Sequence, residues 1–172
     1  METSALLNTA SQNLLTPYDL DQNALSRVFG QIMTHSVDYA DLYFQYSRSE
    51  GWSLEEGKVK SGSFNIDQGV GVRAVSGEKT AFAYSDEINF DALTAAASAT
   101  RAIAASGGDG KMPVAQSGQP RKLYTPQDPL ASLSDTDKVR MLEKLEKYAR
   151  DLDPRVTQVM AGLAAEFDVI LV

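Results

Sequence analysis

The chain has 172 residues, 43% apolar and 23% charged, a globular composition that excludes disordered, collagen-like and coiled-coil chains. Its net charge of −7 repels phosphate backbones and anionic lipid heads, which makes nucleic acid a poor partner. Cysteine is absent and His35 is the only histidine, which excludes disulfides, thiol nucleophiles and a two-histidine zinc site within these residues. The opening Met1-Glu2-Thr3-Ser4 lacks the basic region of a signal peptide, and no apolar run approaches the roughly 20 residues that span a bilayer. The expected address is the cytoplasm, without membrane contact.

Residues 1–19 read as a flexible arm of weak helical content, broken at Thr16-Pro17 because proline disfavours helix in the residue before it. From Asp19 to about His35, Leu25, Val28, Phe29, Ile32 and Met33 recur at helical spacing and predict an amphipathic helix. The period then drops to two. Leu42, Phe44 and Tyr46 alternate with Tyr43, Gln45 and Ser47, and further alternations follow at Trp52 and Leu54, Phe64 and Ile66, Val70 and Val72, Phe82 and Tyr84. Turns are expected at Glu50-Gly51, Glu56-Gly57, Asp67-Gln68-Gly69 and Ser76-Gly77. Connections this short hold no crossover helix, so residues 41–85 should form an antiparallel meander of about four or five strands.

Asn89 is placed to cap a second helix to about Ser106, whose alanines favour close approach to a sheet. Gly107-Gly108-Asp109-Gly110 stops it before a proline-rich connection. Ser134-Asp135-Thr136-Asp137 opens a third helix with an apolar stripe of Val139, Leu142, Leu145, Ala149 and Leu152, and Glu143 with Lys147 and Glu146 with Arg150 are spaced as i,i+4 pairs. Asp153-Pro154 ends it, and Val156 to Gly162 and Glu166 to Val172 read as two more strands. The predicted fold class is therefore α+β, a meander-rich antiparallel sheet flanked by about three helices. The final Val169-Ile170-Leu171-Val172 is an apolar strand without a turn after it, which suggests a domain cut at its C-terminal end.

Gly69-Val70-Gly71-Val72-Arg73-Ala74 fits a dinucleotide-binding pattern, but that pattern works where a strand gives way to a helix, and here another strand is expected. The glycines are better read as strand positions that a neighbour approaches closely. Glu55-Glu56 with Asp67 offers a carboxylate pair for glycoside or peptide hydrolysis, but Glu55 and Glu56 point to opposite faces of a strand and cannot converge on one substrate atom, so a solvated hairpin end is the better reading. His35 at a helix C-terminus is favoured there by the helix dipole. Arg73, mid-strand between Val72 and Ala74, is either a solvent-facing side chain or a guanidinium presented to a partner or a peptide carboxylate. No catalytic or metal-binding constellation emerges from the residues.

Three blocks carry a resemblance: Asp38-Tyr39-Ala40-Asp41-Leu42-Tyr43-Phe44-Gln45, Asn65-Ile66-Asp67-Gln68-Gly69-Val70-Gly71-Val72-Arg73, and Ser76-Gly77-Glu78-Lys79-Thr80 with Phe82-Ala83-Tyr84. Together with Gly108-Asp109-Gly110-Lys111, Leu123-Tyr124-Thr125 and Asp128-Pro129-Leu130, they resemble the N-terminal domain of the TldD/PmbA family of metallopeptidases, over residues 20–172. The resemblance implies a cytoplasmic bacterial zinc peptidase that pairs with a TldE/PmbA-like subunit and processes small unstructured peptides such as leader peptides and antitoxins. The family's H-E-x-x-x-H helix and later cysteine have no match here, so no catalytic or metal residue carries over and zinc is expected only in the full-length protein. The segment then supports assembly and substrate access, the alternative being a free-standing protein- or peptide-binding module. If a peptide is held extended by backbone pairing, the stretch from Phe64 to Tyr84 offers candidate edges. Gly69, Gly71, Arg73 and Tyr84 are the candidate interface or peptide contacts, with a domain or partner interface preferred because a bare edge invites aggregation.

Overall fold

The structure is a computed structural model and describes residues 2–33, 37–104 and 127–172. Helix α1 (Glu2–Leu14), a 3-10 turn (Thr16–Tyr18) and α2 (Gln22–Ile32) precede three strands, β1 (Tyr39–Glu55), β2 (Lys58–Ser76) and β3 (Lys79–Ser85). Helices α3 (Phe90–Ala104) and α4 (Asp135–Leu152) follow, and β4 (Met160–Leu171) comes last. The strands form one antiparallel sheet in the order β3-β2-β1-β4, so the fold class is α+β as expected.

The chain divides into two compact units. One holds the described parts of Met1–Tyr46, Asp67–Thr125 and Val169–Val172, the other those of Ser47–Ile66 and Pro126–Asp168. In the first, α2 packs on α3 and α3 on β3. Ala24, Val28 and Ile32 of α2, Val70, Val72 and Ala74 of β2, and Leu93, Ala96 and Ala97 of α3 are all buried. Burying a side chain the size of Leu93 contributes about 1.5–3 kcal/mol. Asn89 caps its helix as expected, its Oδ1 accepting from the Ala92 amide at 2.7 Å, and Asp21 Oδ1 caps α2 by accepting from the Ala24 amide at 2.7 Å. Buried Thr100 returns its hydroxyl to the Ala96 carbonyl at 2.8 Å, which satisfies it inside the apolar layer.

In the second unit, α4 presents Lys138, Leu142 and Glu146 inward. Lys138 Nζ donates to Glu50 Oε2 at 2.8 Å and to the Leu130 carbonyl at 3.0 Å. Glu146 accepts from the Gly57 amide at 2.5 Å and from Arg150 at 3.0 Å. Helix α4 is therefore fixed to β1 and to the β1–β2 turn by two polar anchors with Leu142 between them.

Several expectations need correction. Where a loose arm was expected, α1 forms a helix, and Ala10 and Leu14 give it buried anchors. Glu50-Gly51 and Asp67-Gln68-Gly69 are not turns: β1 and β2 run straight through them, and the stretch holds three strands. Only Glu56-Gly57 and Ser76-Gly77 reverse the chain, where Gly57 (φ 70°) and Gly77 (φ 58°) supply positive φ. After α4 there is one strand rather than two. The α4 stripe is also shifted, because Leu142 is buried while Leu145 and Leu152 are 54% and 67% exposed. His35 and the Gly107–Gly110 stop lie outside the described residues.

Candidate functional site

The register of β2 against β3 decides which side chains share a face. Gly71 stands opposite Tyr84, Arg73 opposite Phe82 and Val72 opposite Ala83. Because side chains alternate along a strand, Val70, Val72 and Ala74 turn to the core, while Gly71, Arg73, Phe82 and Tyr84 share the other face. On that face Tyr84 is 80% and Phe82 57% exposed, with their rings stacked at 6.2 Å between centroids.

The two glycines serve close approach. A Cβ on Gly69 would lie 2.7 Å from the Ser85 carbonyl oxygen, and one on Gly71 would lie 3.0 Å from the Phe82 ring. Beside them lies a depression of about 370 Å³ whose lining includes Tyr43, Phe82, Tyr84, Asp67 and Asp86. Among the described residues no lysine or arginine lines it. Tyr18 donates its hydroxyl to Gln68 Oε1 at 2.7 Å, and Tyr43 donates to Gln45 Oε1 at 3.1 Å, which orients two neighbouring amides.

Of the residues singled out from sequence, the structure gathers Gly69, Gly71 and Tyr84 around this depression and sets Arg73 apart from its lining. Asp41 accepts from Arg73 Nε at 2.9 Å and from Nη2 at 2.5 Å, and the guanidinium lies 5.5 Å from the Tyr39 ring. The hydrogen bond and the charge of Asp41 raise the Arg73 pKa above its ordinary value. Phe82 and Asp86 were not singled out, and Asp67 only as a carboxylate beside Glu55 and Glu56. The signal for Phe82 was its two-residue spacing from Tyr84, but the two aspartates meet only through the fold. The glycines lie in the interior strand β2, so among the described strands the one at the end of the sheet on this side is β3.

Gly69 to Ala74 lies wholly within β2 and is followed by β3, the wrong context for a dinucleotide loop. Glu55 accepts from Gln158 at 2.8 Å, and Glu56 occupies the turn, so the adjacent carboxylates do not converge. A larger cavity of about 640 Å³ in the second unit is lined by Arg48, Glu50, Trp52 and Lys138, but its charges answer one another through the Lys138–Glu50 and Arg48–Asp128 pairs. Among the described residues no group of three His, Cys, Asp or Glu side chains is placed to hold a metal ion, so the residues present do not fit a zinc centre. No described helix is long and apolar enough to cross a membrane.

Residues 40–104 match the family described as PmbA/TldA metallopeptidase domain 1. Over 170 residues the chain is 45% identical to a metalloprotease TldD homolog of Haemophilus influenzae, covering 97% of this chain and 35% of that protein. Over 166 residues it is 37% identical to a metalloprotease TldD homolog of Buchnera aphidicola subsp. Schizaphis graminum, covering 96% and 34%. The chain thus spans about a third of the length of the curated relatives it matches. Among solved structures, a putative modulator of a DNA gyrase from Thermotoga maritima superposes with a TM-score of 0.59 at 16% identity, covering 87% of this chain and 37% of that one. TldE from Thermococcus kodakarensis gives 0.57 at 16% identity, covering 86% and 34%. At that identity the likeness is one of fold.

Proposed function

From its membership of the PmbA/TldD family, whose N-terminal domain it carries, we propose that this chain is the non-catalytic part of a zinc peptidase subunit. In this reading residues 20–172 form the domain proper, and the subunit works in the bacterial cytoplasm with a TldE/PmbA-like partner on small unstructured peptides. The observation that carries it is the 45% identity to a metalloprotease homolog over nearly the whole chain. The metal belongs to residues outside this chain. The open face at Gly69, Gly71 and Tyr84, with Arg73 at its margin, serves first as a domain or partner interface and second as a peptide contact. Stacked exposed aromatics above a glycine floor support contact, since large exposed rings mark interaction surfaces.

In the full-length protein Gly71→Val should weaken assembly or peptide cleavage while leaving zinc content intact. A variant that assembles and cleaves like the parent overturns the interface. The 172-residue chain alone should hold no stoichiometric zinc and cleave no peptide, and equimolar zinc with chelator-sensitive cleavage overturns the non-catalytic assignment.

A further inference from the structure

We propose that the Gly69–Gly71 depression is a subsite for a cationic side chain, lysine or arginine, on an extended unstructured peptide laid along β3. This rests on reading the face as a peptide contact and adds the chemistry of what it contacts. The lining combines Tyr43, Phe82 and Tyr84 with Asp67 and Asp86, and neither aspartate has an ion pair among the described residues. An ammonium or guanidinium is attracted to a ring face within about 6 Å of its centroid, and more strongly where a carboxylate stands beside it.

The chain uses the same contact internally. Arg27 lies 4.4 Å from the Phe90 ring, Arg48 5.4 Å from Phe167 and Arg73 5.5 Å from Tyr39. Phe82 and Tyr84 are exposed rings that have no such cation among the described residues and, unlike exposed Phe64 and Tyr148, stack on each other. Strand β3 ends the sheet, so a peptide can add its backbone there, and every second side chain of the added strand would then lie on the face that carries Phe82 and Tyr84. A neutral side chain gains the ring contact alone, and an acidic one is repelled by both aspartates.

The test measures fluorescence anisotropy of labelled ten-residue Gly-Ser peptides carrying two lysines, two glutamines or two glutamates, titrated with the 172-residue chain at low and high salt. The lysine peptide should bind about ten-fold tighter than the glutamine peptide at low salt, with the gap narrowing as salt rises. Asp67→Asn with Asp86→Asn should abolish that gap, and Tyr84→Ala should weaken the lysine peptide several-fold. Asp91→Asn, an exposed carboxylate on α3 away from the depression, should leave binding unchanged. Equal binding of the lysine and glutamine peptides overturns the proposal, as does an Asp91→Asn loss as large as that of the paired variant. Binding of a TldE-like subunit that depends on Asp67 and Asp86, with no peptide binding, also overturns it in favour of a protein partner. None of these results bears on zinc content or on Gly71→Val in the full-length protein, so this proposal and the family reading fail separately.

Discussion

Lys138 Nζ sits 2.8 Å from Glu50 Oε2, 88 positions away in sequence, with the lysine 3% and the glutamate 8% exposed. Such a pair contributes little beyond its desolvation cost, but losing one member strands the other charge. Lys138→Met should cost about 3–5 kcal/mol in urea unfolding at pH 7, and adding Glu50→Leu should recover most of that. A double variant no more stable than the single one would contradict the account.

The hydrogen bond that Lys138 donates to Glu50 raises the Lys138 pKa above its ordinary 10.5. A raised pKa means the folded state binds the proton more tightly, so this stabilisation is complete below the unfolded value and declines as pH climbs through the folded one. The stability gap between wild type and Lys138→Met should stay level across neutral pH and shrink above 10.5.

Gly69 and Gly71 should respond differently to alanine. At Gly69 the obstacle is the Ser85 carbonyl, 2.7 Å from the new Cβ, which only a shift of the strand pair relieves. At Gly71 it is the exposed Phe82 ring, which can swing aside. Gly69→Ala is expected to cost about 1–3 kcal/mol and Gly71→Ala less than about 1 kcal/mol, with denaturant midpoints showing the order.

Glu56 holds φ 50° beside Gly57 at φ 70°, a two-residue turn whose positive angles suit Asn-Gly better than Glu-Gly. Glu56→Asn should raise stability by about 0.5–1 kcal/mol while keeping the Gly57 amide bond to Glu146. A lower thermal midpoint would show that Glu56 is fixed by something other than its backbone.

Ser134 accepts from the Asp137 amide at 3.2 Å and donates its hydroxyl to the Asp137 carboxylate at 2.6 Å, and that hydroxyl bond is the largest cause of an Asp137 pKa below 3.8. A lowered carboxylate pKa stabilises the fold above the unfolded value and loses that contribution as pH falls through the folded one. Ser134→Ala should bring the Asp137 titration, followed by NMR, back toward 3.8 and lower the melting temperature most at neutral pH.

Local signals carried the helices well, since capping side chains and apolar spacing act over a few residues. Asn89 and Ser134 cap where the sequence places them. Glycine was harder to read. Gly57 and Gly77 are turn glycines, but Gly62 lies against the Trp52 ring and Gly69 against the Ser85 carbonyl, so both serve close packing inside strands. A sequence shows a glycine without showing which demand it meets. Lys138 carries no local signal of burial either: it lies just before the apolar stripe and is buried because Glu50 on another element neutralises it. At the candidate site the alternation of Phe82 and Tyr84 was visible, whereas Asp67 and Asp86, 19 positions apart by their numbers, meet only through the β2–β3 pairing.

The contacts of the second unit have a consequence for synthesis. Glu50 waits 88 positions for Lys138, Gly57 waits 89 for Glu146, Glu55 waits 103 for Gln158 and Ser47 waits 121 for Asp168. At roughly 5–20 residues per second, the far end of the β1–β2 hairpin leaves the peptidyl-transferase centre about 4–18 s before the helix that anchors it. Throughout that interval the Glu50 carboxylate has no counter-charge from α4, although local contacts such as Ser53 with Ser61 can already join β1 to β2. The order of translation therefore sets the order of assembly, and a ribosome stalled between the prolines and Ser134 would hold a chain whose second unit cannot yet form.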